Sequence, residues 1–231
     1  MTGAQLFNTF LDELSVGAGS KSLMVMIAGP NGAGKTTLWR QLLEPMLEGA
    51  VEAVYINADE IERELNEAAQ GCAGAPQTQE TALLAQSEAT RRRELLLSAP
   101  TGTQSHFVFE TVFSDPHGHK LAELQRGVAA GYHVVMLFVG LNDVELAQQR
   151  VHRRVEIGGH DVPSDVQHTR FPRVFANAQK ALQIVPLAAF FDNSRDREAG
   201  QRTHRPVAIV KNGSVLALHD DMPAWWPMIV P

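Results

Sequence analysis

Cysteine is nearly absent from the sequence. Cys72 stands alone, so no internal disulfide can staple the fold, and a reducing compartment is the natural setting. Basic residues are not in excess: 20 Lys and Arg face 26 Asp and Glu, a formal charge of −6. That balance excludes a broad electrostatic attraction to nucleic acid or to an anionic membrane. Missing too is any apolar run long enough to cross a bilayer, the longest being strand-sized stretches such as residues 134–139. The opening MTGAQLFNTFLDELS is an amphipathic mixture containing acids, without the basic start and apolar centre of a signal peptide. A cytoplasmic protein that binds neither nucleic acid nor membrane is therefore expected. No Gly/Ser- or Pro-rich linker, internal repeat or low-complexity tract divides the chain, so one domain over residues 1–231 is expected. A hydrophobic fraction of 44% is ample for its core.

What is present is an alternation. Apolar, β-rich runs recur at 23–28, 51–56, 106–109, 134–139 and 187–191, and the segments between them are helical in pattern and long enough for crossovers. This predicts an α/β fold with a parallel sheet covered on both faces. Helices are expected over 59–69, 78–98 and 119–130, the last ending at Gly131. Asn142 with Glu145 reads as a capped start for a helix to Glu156 that halts at Gly158-Gly159. A further helix from Pro163-Ser164 is expected to kink or break at Pro172 and run to Val185. Runs at 206–210 and 214–218 flank Asn212-Gly213, a strong hairpin signal. The core of the domain is thus placed at about 23–194, with a hairpin extension over about 203–231.

Residues 29–36 read GPNGAGKT, a complete G-x-x-x-x-G-K-[ST] pattern directly after the first strand-like run. Gly29, Pro30, Asn31, Gly32, Ala33 and Gly34 would curl so that successive N–H groups face one anion. Lys35 would reach the β- and γ-phosphates, Thr36 would offer its hydroxyl to Mg²⁺, and Thr37 follows in the first helical turn. The helix opening at Lys35 adds its positive end. Its continuation over 41–47 should bend or end at Pro45 and close at Gly49. The sequence alone thus implies nucleotide phosphates together with Mg²⁺.

Other residues fall where such a site needs them. Asp59, just beyond the second strand, can accept a proton from an attacking hydroxyl, and with Glu62 it also forms a D-x-x-E helix start. Glu110 and Thr111 end the third strand, where a carboxylate can hold Mg²⁺ through water or position an acceptor. Arg150, Arg153 and Arg154 share one helical face before Gly158-Gly159, as a mobile segment that neutralises a moving phosphoryl group would, or as a solvated face. Arg91-Arg92-Arg93, adjacent in sequence, reads as surface. His117 and His119 read as a polar loop, and Trp225-Trp226 as cover for the core.

Taken together, the P-loop, Asn57-Ala-Asp-Glu60, Phe109-Glu-Thr111 and Arg153-Arg-Val-Glu-Ile-Gly-Gly-His-Asp-Val-Pro163 make the chain resemble the zeta-toxin-like P-loop kinases, from about Leu23 to Ser194. The resemblance implies a kinase-type P-loop fold with an ATP·Mg²⁺ site. It also implies transfer to the amino sugar of UDP-N-acetylglucosamine and, in some members, a small helical antitoxin as partner. It assigns Lys35 and Thr36 to phosphate and metal, Asp59 to the base, Glu110-Thr111 to the acceptor site, and Arg154 and Arg170 to the triphosphate. Asn57-Ala58-Asp59 departs from the Asp-x-Asp form of the best-known toxins. A kinase of another metabolite or of an antibiotic, and a nucleotide-dependent switch, are the competing functions. Against the switch, the chain has no N-K-x-D guanine-reading segment and no L-S-G-G-Q-like signature.

Overall fold

The computed structural model describes residues 1–48, 51–69, 78–156, 162–195 and 204–230. Five strands, β1 (Leu23–Ala28), β2 (Ala53–Ile56), β3 (His106–Thr111), β4 (His133–Gly140) and β5 (Leu187–Asp192), pair in parallel. The hairpin β6 (Arg205–Lys211) and β7 (Ser214–Leu218) joins the β5 edge antiparallel, giving the order β2-β3-β1-β4-β5-β6-β7. Asn212 and Gly213, at φ 49° and 77°, make the tight turn that their sequence announced. The hairpin is therefore part of the main sheet rather than an appendage to it.

Alternation along the central strands feeds two cores. Met24, Met26 and Ala28 of β1 join Val134, Met136 and Phe138 of β4 on one face, while Leu23, Val25 and Ile27 join Val135, Leu137 and Val139 on the other. The first face is covered by α4 (Ala58–Ala69), α5 (Thr78–Leu97), α6 (His119–Ala129) and α8 (Ser164–Ala181). Trp225, with Phe138, Phe175 and Phe190 around it, seals that face and donates its indole N–H to Asp192 at 3.0 Å. The second face is covered by α1 (Gly3–Ala18), which buries Leu6 and Phe10, by the helix after the P-loop, and by Ala147 of α7 (Val144–Glu156). The amphipathic start of the chain is thus a full helix, closed by a Thr2/Gln5 capping box.

Several boundaries differ from expectation for identifiable reasons. β2 begins at Ala53 rather than 51, because the Val51 amide is taken by the Leu47 carbonyl at the preceding helix end. At Pro45 the chain neither breaks nor ends its helix: α2 (Lys35–Leu38) widens into a π turn (Trp39–Leu43) and resumes as α3 (Glu44–Leu47). The wider turn, with Glu44 N–H bonded to Trp39, carries the backbone past a residue that has no N–H to give. Gly49 lies outside the described residues. Pro172 sits inside an uninterrupted α8, whose last residue is Ala181 rather than Val185. Residues 182–184 tighten into i→i+3 bonds because Pro186 follows. The cap of α7 is Asp143, whose Oδ1 accepts from Leu146 N–H at 2.7 Å, while the Asn142 amide is spent on Ser194.

Arg91 and Arg92 do lie outward, both paired with Glu88. Arg93 does not: it is buried, pairs with Glu123 at 2.5 Å and lies over the Phe109 ring at 5.1 Å. Sequence adjacency spreads three arginines around a helix, and one of the three directions meets the sheet.

Candidate active site

The P-loop leaves β1 at the carboxyl edge of the sheet, between the ends of β3 and β4. Ile27 and Ala28 are in register with Glu110 and Thr111 on one side, and Ala28 with Phe138 on the other. This is the edge at which parallel α/β sheets place ligands, where neighbouring crossovers diverge. Gly32, at φ 73°, runs so close to α7 that an added Cβ would lie 2.7 Å from the Ala147 carbonyl oxygen and 3.1 Å from Arg150 Cβ. Farther along, Asn193 beyond β5 donates to the Ala33 carbonyl at 2.8 Å, and His204 Nε2 lies 3.0 Å from that of Gly34. The loop is thus clamped from both sides by elements far away in sequence.

Lys35 folds back into the loop, its ammonium donating to the carbonyls of Gly29 and Pro30 at 3.0 Å each. Burial lowers its pKa, opposed by the charges of Glu110 and Asp59 and reinforced by Arg154. The charges of Glu110, Asp59 and Arg154 are thus felt at Lys35. Thr36, on the first turn of α2, donates to Glu110 Oε2 at 2.9 Å. Glu110 takes the Tyr55 hydroxyl on its other oxygen, and Asn57 Nδ2 donates to that same hydroxyl at 3.0 Å. Tyr55 is stacked on Trp39, ring centroids 4.4 Å apart and 4° from parallel. Burial pushes the Glu110 carboxyl above its usual range, against the opposing pull of Lys35 and of the two hydroxyls. It also raises the Tyr55 phenol, which stays a donor.

Asp59 stands opposite in the first turn of α4, largely exposed, with its carboxylate 3.4 Å from Arg154 NH1. It does not cap its helix. Asn57 does, accepting from the Asp59 amide at 2.9 Å, because the helix begins at Ala58, one residue earlier than expected, and so places Asn57 at the cap. Of the three arginines on α7, Arg150 lies against the P-loop, Arg154 against Asp59, and Arg153 is exposed. The Gly158-Gly159 pair lies outside the described residues. Arg170 projects from α8 into a cleft that it shares with Pro30 and Asn31. Thr37 is half-buried behind Thr36.

Beyond Glu110-Thr111 the chain takes a rare path. Phe113 is buried at φ 63°, its amide donating to Thr111 Oγ1 at 3.1 Å, and Asn177 of α8 donates to the carbonyls of Phe113 and Asp115 at 2.9 Å each. The sequence reading missed Tyr55, Asn57, Asn177, Asn193 and His204 as parts of the site. Asn57 was legible as a capping residue after a strand; the others act only through tertiary contacts. Among the described residues no group of three His, Cys, Asp or Glu side chains could hold a metal; His117 lies in the loop that the sequence suggested, whereas His119 is the first residue of α6. Nor is any helix among them long and apolar enough to cross a membrane.

The model of the Zeta toxin family matches residues 10–203. No curated protein sequence matches the chain. Among solved structures, AvrRxo1-ORF1:-ORF2 with ATP superposes with a TM-score of 0.67 at 18% identity, over 94% of this chain and 69% of that one. The PezAT chromosomal toxin-antitoxin system of Streptococcus pneumoniae gives a TM-score of 0.52 at 17% identity, over 90% of this chain and 81% of that one. At such identities the likeness is one of fold, here that of the P-loop kinases.

Proposed function

The chain belongs to the zeta toxin family, and from that premise we propose that it transfers the γ-phosphoryl group of ATP to a hydroxyl of a small molecule, the amino sugar of UDP-N-acetylglucosamine being the acceptor. The observation that carries this reading is the meeting of Lys35, Thr36, Glu110, Asp59 and Arg154 at one sheet edge. Lys35 would exchange its two carbonyl partners for phosphate oxygens. Mg²⁺ would be held by the Thr36 hydroxyl, with Glu110 behind it, and would supply neutralisation of the phosphate charge. The residues fit that role, since a hydroxyl and a carboxylate already share one hydrogen bond beside the loop.

Both oxygens of Glu110 are engaged by hydroxyl donors, whereas Asp59, largely exposed, meets only Arg154 among the described residues. Asp59 is therefore the better base: drawing Arg154 toward the triphosphate would free its carboxylate to take the proton of the attacking hydroxyl. Arg170 faces the same end of the loop and would meet the γ-phosphate. A small antitoxin that holds the enzyme inactive is the partner this family suggests.

Asp59→Asn tests the assignment. Because Asn57 is the cap, the substitution leaves the helix start intact, so thermal unfolding and ATP titration should be unchanged while turnover falls about a hundredfold or more. An equally stable variant with wild-type turnover would move the base to Glu110.

A further inference from the structure

Two side chains from beyond β5 reach the backbone of the P-loop. Asn193, the residue after β5 and 8% exposed, donates its own amide N–H to the Gly140 carbonyl at 3.1 Å and its side-chain Nδ2 to the Ala33 carbonyl at 2.8 Å. His204, one residue before β6 and 9% exposed, places Nε2 3.0 Å from the Gly34 carbonyl oxygen. A carbonyl only accepts, so Nε2 carries a hydrogen and donates. The fit leaves no spare room: a Cβ on Gly34 would lie 2.8 Å from Asn193 Nδ2 and 3.0 Å from His204 Nε2.

These contacts set the direction of two other groups. In a trans peptide the C=O and N–H lie on opposite sides of one rigid plane. Holding the Ala33 carbonyl therefore turns the Gly34 N–H away from Asn193, and holding the Gly34 carbonyl, which Leu38 N–H also meets at 2.9 Å, turns the Lys35 N–H away from His204. Neither of those two amides has a hydrogen-bond partner among the described residues, and both belong to the stretch of the pattern whose N–H groups cradle phosphate. A donor on a carbonyl also polarises the N–H of the same peptide, which strengthens its hold on an anion. Resting on the phosphotransferase reading above, we propose that Asn193 and His204 are positioning residues for the nucleotide, fixing and polarising the Gly34 and Lys35 amides that bind the phosphates of ATP. The β6-β7 hairpin, through the residue that leads into it, is then part of the nucleotide site. Because the same amides hold phosphate before and during transfer, the pair acts on nucleotide affinity more than on the chemical step.

The test titrates the full chain with ADP·Mg²⁺ and ATP·Mg²⁺ by calorimetry, beside thermal unfolding and transfer from labelled ATP to UDP-N-acetylglucosamine or a pooled small-metabolite fraction. Asn193→Leu and His204→Phe remove the donors at similar volume, and His204→Gln keeps one. The Kd for both nucleotides and the KM for ATP should rise about tenfold in the first two variants, with kcat changed less, while His204→Gln stays near wild type. Donor-less variants with a lowered unfolding temperature but wild-type Kd, the mark of a merely structural clamp, would overturn the assignment and leave the phosphotransferase reading standing. Binding is read apart from transfer, so a wild type that binds ADP yet phosphorylates no probe would overturn the phosphotransferase reading while the titrations still decide this one. A wild type that binds neither nucleotide would overturn both. Should the donor-less variants not fold, a wild-type structure with ADP·Mg²⁺ decides: phosphate oxygens within about 3.2 Å of the Gly34 and Lys35 nitrogens, with both side-chain contacts kept, support the proposal, and loss of either contact or phosphate bound elsewhere ends it.

Discussion

Glu110 is held at both oxygens, by Thr36 and by Tyr55, and Tyr55 is held in turn by Asn57 and by the face of Trp39. Removing the phenol oxygen therefore frees one end of the carboxylate without disturbing the aromatic stack. Tyr55→Phe should keep its fold and lower turnover about tenfold, with a raised Mg²⁺ requirement, as supporting groups behind a metal site do. A Mg²⁺ titration of the initial rate checks this. His133 carries a different expectation. Its ring packs so closely beneath Gly17 that a Cβ there would overlap it, and its Nε2 has no partner among the described residues. Burial, with the nearby Lys21 charge, lowers its pKa below the ordinary value near 6.5. Below that value the unfolded chain takes up a proton that the folded one resists, so this residue's contribution erodes as pH falls from about 6.5 toward the depressed folded value. His133→Phe should flatten the fall in melting temperature between about pH 7 and 5.

At the scale of elements, α8 ties the site together. One face of it carries Arg170 beside Pro30 and Asn31 of the P-loop and Asn177 onto the β3 exit, where the buried Phe113 sits at positive φ. Asn177→Ala would leave two carbonyls without their donor, a cost of about 1–3 kcal/mol for each buried group so stranded. It should also loosen Glu110-Thr111, raising the KM for the acceptor more than that for ATP. Paired unfolding and steady-state measurements on that variant check both. Little of this was readable beforehand. The apolar run of β3 announced a strand and Glu110-Thr111 its end, but a phenylalanine in the left-handed region has no local signal, and Asn177 lies 64 residues from the carbonyl it holds. Pro45 was misleading in the opposite sense: its chemistry forbids an α-helical hydrogen bond, and the chain answered with a π turn rather than an end.

For the whole molecule, the parallel order and the two-faced core follow from alternating apolar runs, and those runs were plain in the sequence because each fully buried strand is continuous in apolar residues. The P-loop was equally plain, since its function resides in backbone geometry that only glycines at fixed spacing permit. What brings Asp59 to Arg154, 95 residues apart, and Asn193 to Ala33, 160 residues apart, is sheet order, which no short pattern encodes. The central claim is that this convergence performs phosphoryl transfer to a small molecule, and it is tested most directly by incubating the protein with γ-labelled ATP, Mg²⁺ and UDP-N-acetylglucosamine and weighing the products by mass spectrometry. The account predicts a sugar nucleotide heavier by one phosphoryl group, absent with Lys35→Ala; ATP broken down only to ADP and free phosphate, with no phosphorylated acceptor from this sugar or from a metabolite pool, would contradict it.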